Sequence, residues 1–398
     1  MPIRLGNIAS GDDFFDRATE LEDLWRYLEG NHVALTGPRR LGKSSLLKRL
    51  GEQAAAHGLL SRLIDVEGLD SATAFIDALE DAYPDGSLKG HMLAASEKVT
   101  EWFARLRKVD LKLPGGIGGG LELQAQLEAP WGAKAQAIRQ RLADAPALLL
   151  IDEFSVFLEK LIARDMREAE LLLGWLRTWR MSDSTCRFIY SGSIGLNALL
   201  ERHDLTTWMN DCYEFKLGPF GKPSAVAMLT TLSGREGYEL PADSADYLCR
   251  RTGWLSPFYL NLLLDETMKA ARDRLLECGE VKRELRAGDV DDAYDRLLAA
   301  RSRFIHWFKR LKRDLPEPTL SFTLAVLRYV ARAEVALSRR QLLSRLAKLE
   351  TDTQLRIERL SAALLYLEEN GYIGQEDEGQ MHFIAFLLRD YWRRNHAD

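Results

Sequence analysis

The chain has few cysteines, no long apolar run and no excess of basic charge. Its four cysteines among 398 residues lie far apart and form no C-x-x-C pair: Cys186, Cys212, Cys249 and Cys278. We therefore expect reduced core thiols rather than a disulfide framework or a metal site. No apolar run approaches the roughly 18 to 20 residues that cross a bilayer. The opening MPIRLGNIASGDDFF contains no apolar signal core, which predicts a cytoplasmic protein without membrane contact.

The net charge of −5 argues against a globally basic protein that coats DNA, although it leaves room for a local basic surface. The composition, 46% hydrophobic and 28% charged, is that of an ordinary globular protein. This length favours two or three domains.

The most informative motif is LTGPRRLGKSSL at residues 35–46, where Gly37, Gly42, Lys43 and Ser44 satisfy G-x-x-x-x-G-K-[ST]. Glycines let successive backbone N–H groups point at phosphates, and the helix that opens at Lys43 adds the positive end of its dipole. We expect Lys43 to reach the β- and γ-phosphates and Ser44 to bind Mg²⁺. HVALT before the loop reads as a buried strand and SSLLKRLGEQ after it as a helix.

A second candidate feature is the acid pair Asp152 and Glu153, which ends the apolar run ALLLIDE. Such a run suits a central parallel strand, and its carboxyl end lies where these sheets bind ligands. Asp152 is then placed to hold Mg²⁺ through water, and Glu153 to orient or deprotonate an attacking water. Ser191 and Ser193 follow a further strand and are candidates for the γ-phosphate or the water, with a simple turn as the alternative.

Strands alternating with helices predict an α/β protein with a parallel sheet covered by helices on both faces. A glycine-rich stretch at 110–131 reads as a hairpin, because its glycines lack G-x-G-x-x-G spacing and no helix follows directly. The segment 224–300 is helical throughout and predicts a lid, followed by the basic amphipathic helix RSRFIHWFKRLKR.

From Thr319 onward, three helices and two short strands around an acidic turn predict a winged helix-turn-helix. We thus predict three domains: a P-loop core at 1–220 with a hairpin insert near 110–131, a helical lid with the basic linker helix at 221–315, and the winged helix at 316–398.

These segments together resemble archaeal-type ATPases of the STAND branch of P-loop NTPases, relatives of AAA+ initiators that carry a C-terminal winged helix. The resemblance rests on FFDRATELEDL, TGPRRLGKSSLL, LLLIDEF, FIYSGS, RTGWLSPFYLNLLL and YIGQEDEGQMHFIAFLLRDYW, in this order over nearly the whole chain. The first two motifs are specific and the later ones are loose. The resemblance implies an ASCE/AAA+-like core, ATP and Mg²⁺ as cofactors, and ATP hydrolysis.

Carried over to this sequence, the family pattern assigns roles to particular residues. Catalytic roles fall to Lys43, Glu153, Ser193 near the γ-phosphate and Arg202 as a candidate arginine finger. Ser44 and Asp152 would hold the metal. The nucleotide-binding set is Phe15, Arg17, Gly37, Pro38, Arg39, Arg40, Leu41, Gly42, Lys43, Ser44, Ser45 and Pro257. Gly253 and Pro257 match the lid motif, with a longer spacing than its commonest form. Alternatively, Arg39 and Arg40 are charges on the surface or contacts for a partner.

Two functions stand out. The first is an ATP-driven switch that acts through the winged helix on a protein partner or on nucleic acid, and the second is a DNA-binding initiator or loader. From Thr319 onward eleven basic residues face eleven acidic ones, and the wing tip carries Glu376, Asp377 and Glu378, which disfavours phosphate contacts. Nucleotide binding without turnover and a small-molecule kinase are further alternatives. A nucleotide-dependent oligomer remains open.

Overall fold

The computed structural model describes residues 8–84, 129–143, 146–182, 185–192, 195–300, 304–375 and 379–396. These residues form two compact units. The sheet unit comprises Ile8–Gly37 and Gly42–Leu217, and the helical unit comprises Pro38–Leu41 together with the chain from Gly218 onward. Residues 110–128 of the predicted hairpin and the acidic wing tip at 376–378 lie outside the described residues, and residues 129–131 form a bend and turn before the next helix.

The sheet unit alternates helices and strands, as the sequence predicts. Its elements are α1 (Ala18–Leu28), β1 (His32–Thr36), α2 (Lys43–Gln53), β2 (Leu60–Asp65), α3 (Ala72–Ala82), α4 (Gly132–Leu142), β3 (Ala147–Asp152), α5 (Phe154–Arg164), α6 (Met166–Ser182), β4 (Cys186–Ser191), α7 (Leu196–Arg202) and β5 (Cys212–Lys216).

The five strands form one parallel sheet in the order β2-β3-β4-β1-β5, which confirms the predicted P-loop NTPase core. Strand β4 lies between β1 and β3. Strand β1 precedes residues 37–42, which we call the glycine loop, and β3 ends at Asp152, the first residue of the acid pair. All strands being parallel, their carboxyl ends share one edge of the sheet.

Both faces of the sheet are covered at β3, because every residue of this strand is buried. Successive side chains of a strand point to opposite faces. Leu149 and Ile151 belong to a core with residues from α3 to α7. On the opposite face, a Cβ added to Gly51 of α2 would lie 3.3 Å from Leu150 Cδ1, so α2 passes close over the strand.

The local sequence explains where elements begin. Ser71 caps α3 by accepting a hydrogen bond from the Ala74 N–H at 3.3 Å. Ser338 and Gln341 form a capping box at the start of the helix at Arg339.

The helical unit contains α8 (Lys222–Arg235), α9 (Ala242–Thr252), α10 (Pro257–Cys278), α11 (Ala287–Ala299), α12 (Ile305–Asp314), α13 (Thr319–Arg332), α14 (Arg339–Arg345), α15 (Thr353–Glu369), β6 (Ile373–Gln375), β7 (Met381–Phe383) and α16 (Phe386–His396). Strands β6 and β7 pair antiparallel. Three helices followed by a hairpin are thus present where the sequence predicts them, and the winged-helix assignment of this segment stays a prediction.

Candidate nucleotide-binding site

The glycine loop connects β1 to α2 through a backbone that most residues do not adopt. Gly37 has φ +130°, and a Cβ there would lie 2.6 Å from the Leu217 carbonyl oxygen. Gly42, the N-cap of α2, has φ +89°. The spacing of these two glycines therefore follows from a close backbone approach at one end of the loop and a left-handed turn at the other.

Lys43 begins α2 and folds back over the loop. Its side chain is buried, and Nζ donates a hydrogen bond to the Gly37 carbonyl at 2.6 Å. The ammonium group is therefore held at the mouth of the loop. Ser44 is half-buried on the first turn of α2, whereas the Ser45 hydroxyl accepts a hydrogen bond from the Ala9 N–H at 2.9 Å.

Asp152 lies at the same sheet edge as the loop. Its carboxylate is buried and Oδ1 accepts hydrogen bonds from the Glu153 N–H at 3.0 Å and from the Ser191 hydroxyl. Ile151 pairs with Tyr190, and Leu35 pairs with Ser191, so the ends of β3, β4 and β1 are level. Ser191, on the central strand of the three, orients the carboxylate on its neighbour.

Glu153 adopts a left-handed backbone, with φ 57° and ψ 27°, at the N-cap of α5. A residue with a side chain rarely adopts this conformation, and such outliers concentrate at functional sites. The turn directs the chain away from the sheet directly after Asp152. The two acids therefore occupy different environments: Asp152 is buried, whereas Glu153 is half-buried.

Gly192 follows β4 against the first turn of α5. A Cβ at Gly192 would lie 2.0 Å from Ser155 Oγ and 2.7 Å from Ser155 Cβ. The end of β4 and the start of α5 are thus in direct contact at a position that admits no side chain.

The loop residues Pro38–Leu41 make their described contacts within the helical unit. The buried Ser256 hydroxyl donates a hydrogen bond to the Arg40 carbonyl at 2.6 Å. The Arg40 guanidinium carbon lies 3.7 Å from the centre of the Phe258 ring, and burial lowers the pKa of Arg40 from its usual value. Pro257, between these two partners, is the first residue of α10. Arg40 is therefore packed within its own chain rather than a freely solvated charge.

The remaining predicted residues are spread along the sheet unit. Arg17 is buried, has φ 74° at the start of α1 and pairs with Glu20. Phe15 is half-buried nearby in the sequence. Arg202 is exposed at the last residue of α7, and no described contact joins it to the glycine loop or to Asp152. Ser193 lies outside the described residues, so its role stays a prediction.

The donor chemistry of this edge fits magnesium. The Ser44 hydroxyl and the Asp152 carboxylate are hard oxygen ligands, which Mg²⁺ prefers, and it retains several waters beside them. Within the described ranges, no group of three or more His, Cys, Asp or Glu side chains is arranged as a self-sufficient metal site. The two oxygens therefore suit a cation that arrives with nucleotide phosphates.

Three contacts were not predicted from the sequence: Ser191 with Asp152, Ser155 with Gly192, and Ser256 with Arg40. Ser191 was a candidate for the γ-phosphate rather than a partner of Asp152. Only Ser256 carries a local signal, since a serine directly before a proline is typical of a helix start.

Comparison with solved structures supports the fold. The chain is similar to a Walker-type ATPase of Pyrococcus abyssi, with 19% identity, a TM-score of 0.63, and coverage of 99% of this chain and 100% of the other. It also aligns with the ORC2 protein of Aeropyrum pernix at 14% identity and a TM-score of 0.45, over 98% of both chains. RuvB of Thermotoga maritima aligns at 14% identity and a TM-score of 0.42, over 94% of both. At 19% identity the likeness to the Pyrococcus abyssi protein concerns the fold alone, which is that of a P-loop NTPase.

No protein-family model and no curated protein sequence matches the chain. In the part of the chain that the structure describes, none of the helices has the length and apolar character needed to cross a bilayer.

Proposed function

We propose that this protein binds Mg²⁺-ATP at the glycine loop, hydrolyses it, and uses the nucleotide state to switch the C-terminal segment that carries α13 to α16. The observation that carries the proposal is the shared sheet edge: the loop after β1 and the Asp152–Glu153 pair at the end of β3 flank the end of β4. Lys43 and the loop amides would bind the phosphates, and Ser44 and Asp152 would hold Mg²⁺. The choice of adenine as the base of the bound nucleotide follows from the family resemblance alone.

Glu153 is the proposed water-activating group. It directly follows the proposed metal ligand Asp152 in the sequence, at the left-handed N-cap of α5, and a carboxylate there has a purpose if water attacks the γ-phosphate. This feature favours turnover over nucleotide binding alone. Ser191, by holding the Asp152 carboxylate, would fix the metal ligand relative to the loop.

The proposed output is contact with a protein partner. On α15, Arg359 forms an ion pair with Glu350 at 2.6 Å, and Arg356 donates to the Glu350 carbonyl at 2.6 Å. On α16, Arg393 donates to the Ala333 carbonyl at 2.9 Å. Cations engaged within the chain are less available for DNA phosphates, which bind through uncompensated charge.

A second candidate function is DNA binding, and α12 favours it. Lys309 and Lys312 are exposed along this helix, at the three-residue spacing that places them on one side. Retention on duplex DNA at low salt that weakens steeply as salt rises would support this function. Absence of retention at low salt would remove it.

Hydrolysis is tested by Mg²⁺-dependent phosphate release. Glu153→Gln keeps the shape of the side chain and removes the base, so we expect turnover to fall by about 10² or more, with ATP affinity retained. Glu22→Gln is the matched control, because Glu22 is exposed on α1. Lys43→Ala should abolish ATP binding. Equal phosphate release by the parent and Glu153→Gln would refute the assignment of Glu153.

A further inference from the structure

Arg40 adopts an unfavourable backbone conformation that contacts with residues outside the glycine loop stabilise. Its φ is 75°, in the left-handed region that residues with side chains seldom adopt. Such a conformation persists where the surroundings over-determine it. The described surroundings of Arg40 are residues at the start of α10.

Ser256 supplies the first of these contacts. It is the N-cap of α10, yet its side chain caps none of the N–H groups of that helix. Instead the hydroxyl donates to the Arg40 carbonyl at 2.6 Å, and the side chain is wholly buried. A serine at this position ordinarily accepts a hydrogen bond from its own helix. Here its hydrogen bond is given to the glycine loop.

Phe258 supplies the second contact. The guanidinium carbon of Arg40 lies 3.7 Å from the ring centre, within the range of a cation–π interaction. The carbonyl and the side chain of one residue are thus fixed by two residues that flank Pro257.

The consequence for the loop follows from the planarity of the peptide bond. The Arg40 carbonyl and the Leu41 N–H belong to the same trans peptide, so they point in opposite directions. A hydrogen bond that draws the carbonyl towards Ser256 turns the Leu41 N–H away from Ser256. Amides at this stretch of a phosphate loop are the groups that cradle phosphate oxygens.

We propose that Ser256 is a positioning residue for nucleotide binding, which orients the Arg40–Leu41 peptide so that the Leu41 N–H is presented to a phosphate. Phe258 assists by holding the Arg40 side chain. The inference rests on the proposed function, since it concerns the affinity of the same loop for ATP. It assigns to the start of α10 a role in determining the conformation of the glycine loop. This role differs from the nucleotide contact that the family resemblance implies for Pro257.

The test is the affinity for a non-hydrolysable ATP analogue with Mg²⁺, measured by calorimetry, together with steady-state phosphate release. Ser256→Ala should weaken binding about tenfold, the value of one hydrogen bond of about 1.4 kcal/mol. We expect a rise in KM of similar size and a kcat within about twofold of the parent, because the variant removes orientation of a binding group. Phe258→Leu should shift the affinity in the same direction by a smaller factor.

Thr267→Val is the matched control. Thr267 lies on the same helix, is equally buried, and its hydroxyl donates to the Leu263 carbonyl at 2.7 Å rather than to the loop. It should leave ATP affinity unchanged. Binding by Ser256→Ala within twofold of the parent, or an equal loss in Thr267→Val, would overturn the inference. A parent protein that does not bind ATP would instead refute the proposed function itself.

Discussion

Replacing Gly192 with alanine would test how tightly the end of β4 and the start of α5 are joined. The added Cβ would lie 2.0 Å from Ser155 Oγ, 2.7 Å from Ser155 Cβ and 3.1 Å from the Ser155 backbone nitrogen. The first distance is about 1 Å shorter than a close-packed interior tolerates. Because two of the three atoms belong to Cβ and the backbone, a rotamer change of Ser155 does not relieve the clash.

We expect Gly192→Ala to lower the free energy of unfolding by about 1 to 3 kcal/mol, the usual cost of overpacking a core. We also expect phosphate release to fall by about tenfold or more, because a shift of about 1 Å between these segments would separate Ser191 from Asp152 and move Glu153. Urea unfolding and phosphate release under Mg²⁺-ATP measure the two effects independently.

Two further variants sharpen this test. Gly68→Ala is the control, since Gly68 is exposed and a Cβ there meets nothing within 4 Å. Adding Ser155→Gly to Gly192→Ala removes the two nearest atoms and should restore part of the lost stability. Parent-like unfolding and turnover in Gly192→Ala, or no recovery in the double variant, would show that this contact is not what holds the two segments.

Two other outcomes are expected. His32 donates from Nε2 to the Arg180 carbonyl at 3.0 Å and accepts from the Phe188 N–H at 3.3 Å, and burial, with Arg180 and Arg187 nearby, lowers its pKa from 6.5 to about 3. Because of this lowered pKa, His32 contributes stability above about pH 6.5, and that contribution is lost as the pH falls towards 3. The free energy of unfolding in urea should therefore be about 2 kcal/mol lower at about pH 5 than at about pH 7.5. His32→Gln should lack this difference. A variant that retains the full pH dependence would contradict this assignment. Ser191→Ala should lower turnover about tenfold, with ATP affinity much less affected, because it frees the Asp152 carboxylate to rotate; unchanged phosphate release would exclude Ser191 as the group that orients it.

The sequence predicted the frame of the sheet unit well, for a physical reason. The HVALT strand has the predicted bounds, and the strand predicted at 147–153 ends one residue earlier, at Asp152. Their central residues, 33–35 and 147–151, are continuous apolar runs of the kind that parallel strands covered on both faces require. The glycine loop was recognisable because its residue types are fixed by local backbone geometry. Helices α4 and α5 were not assigned, although the latter buries seven of its eleven residues, because its apolar residues continue those of β3 without a break in composition.

The contacts that complete the candidate site were beyond the reach of local patterns. The pairing of Ser191 with Asp152 depends on strand order, which places segments 39 residues apart side by side. The contact between Ser256 and Arg40 joins residues 216 positions apart. Neither the alternation of apolar residues nor a capping signal contains that information, because both describe a residue's own element and not its neighbours in space.

The membership of Pro38–Leu41 in the helical unit has a practical consequence for dissecting the protein. A fragment that ends with β5 would contain every residue of the glycine motif. It would lack the part of the helical unit, from Gly218 onward, with which Pro38–Leu41 are grouped. Nucleotide affinity should therefore be measured on the intact chain, because a fragment that contains the whole motif need not contain the residues that determine the conformation of the loop.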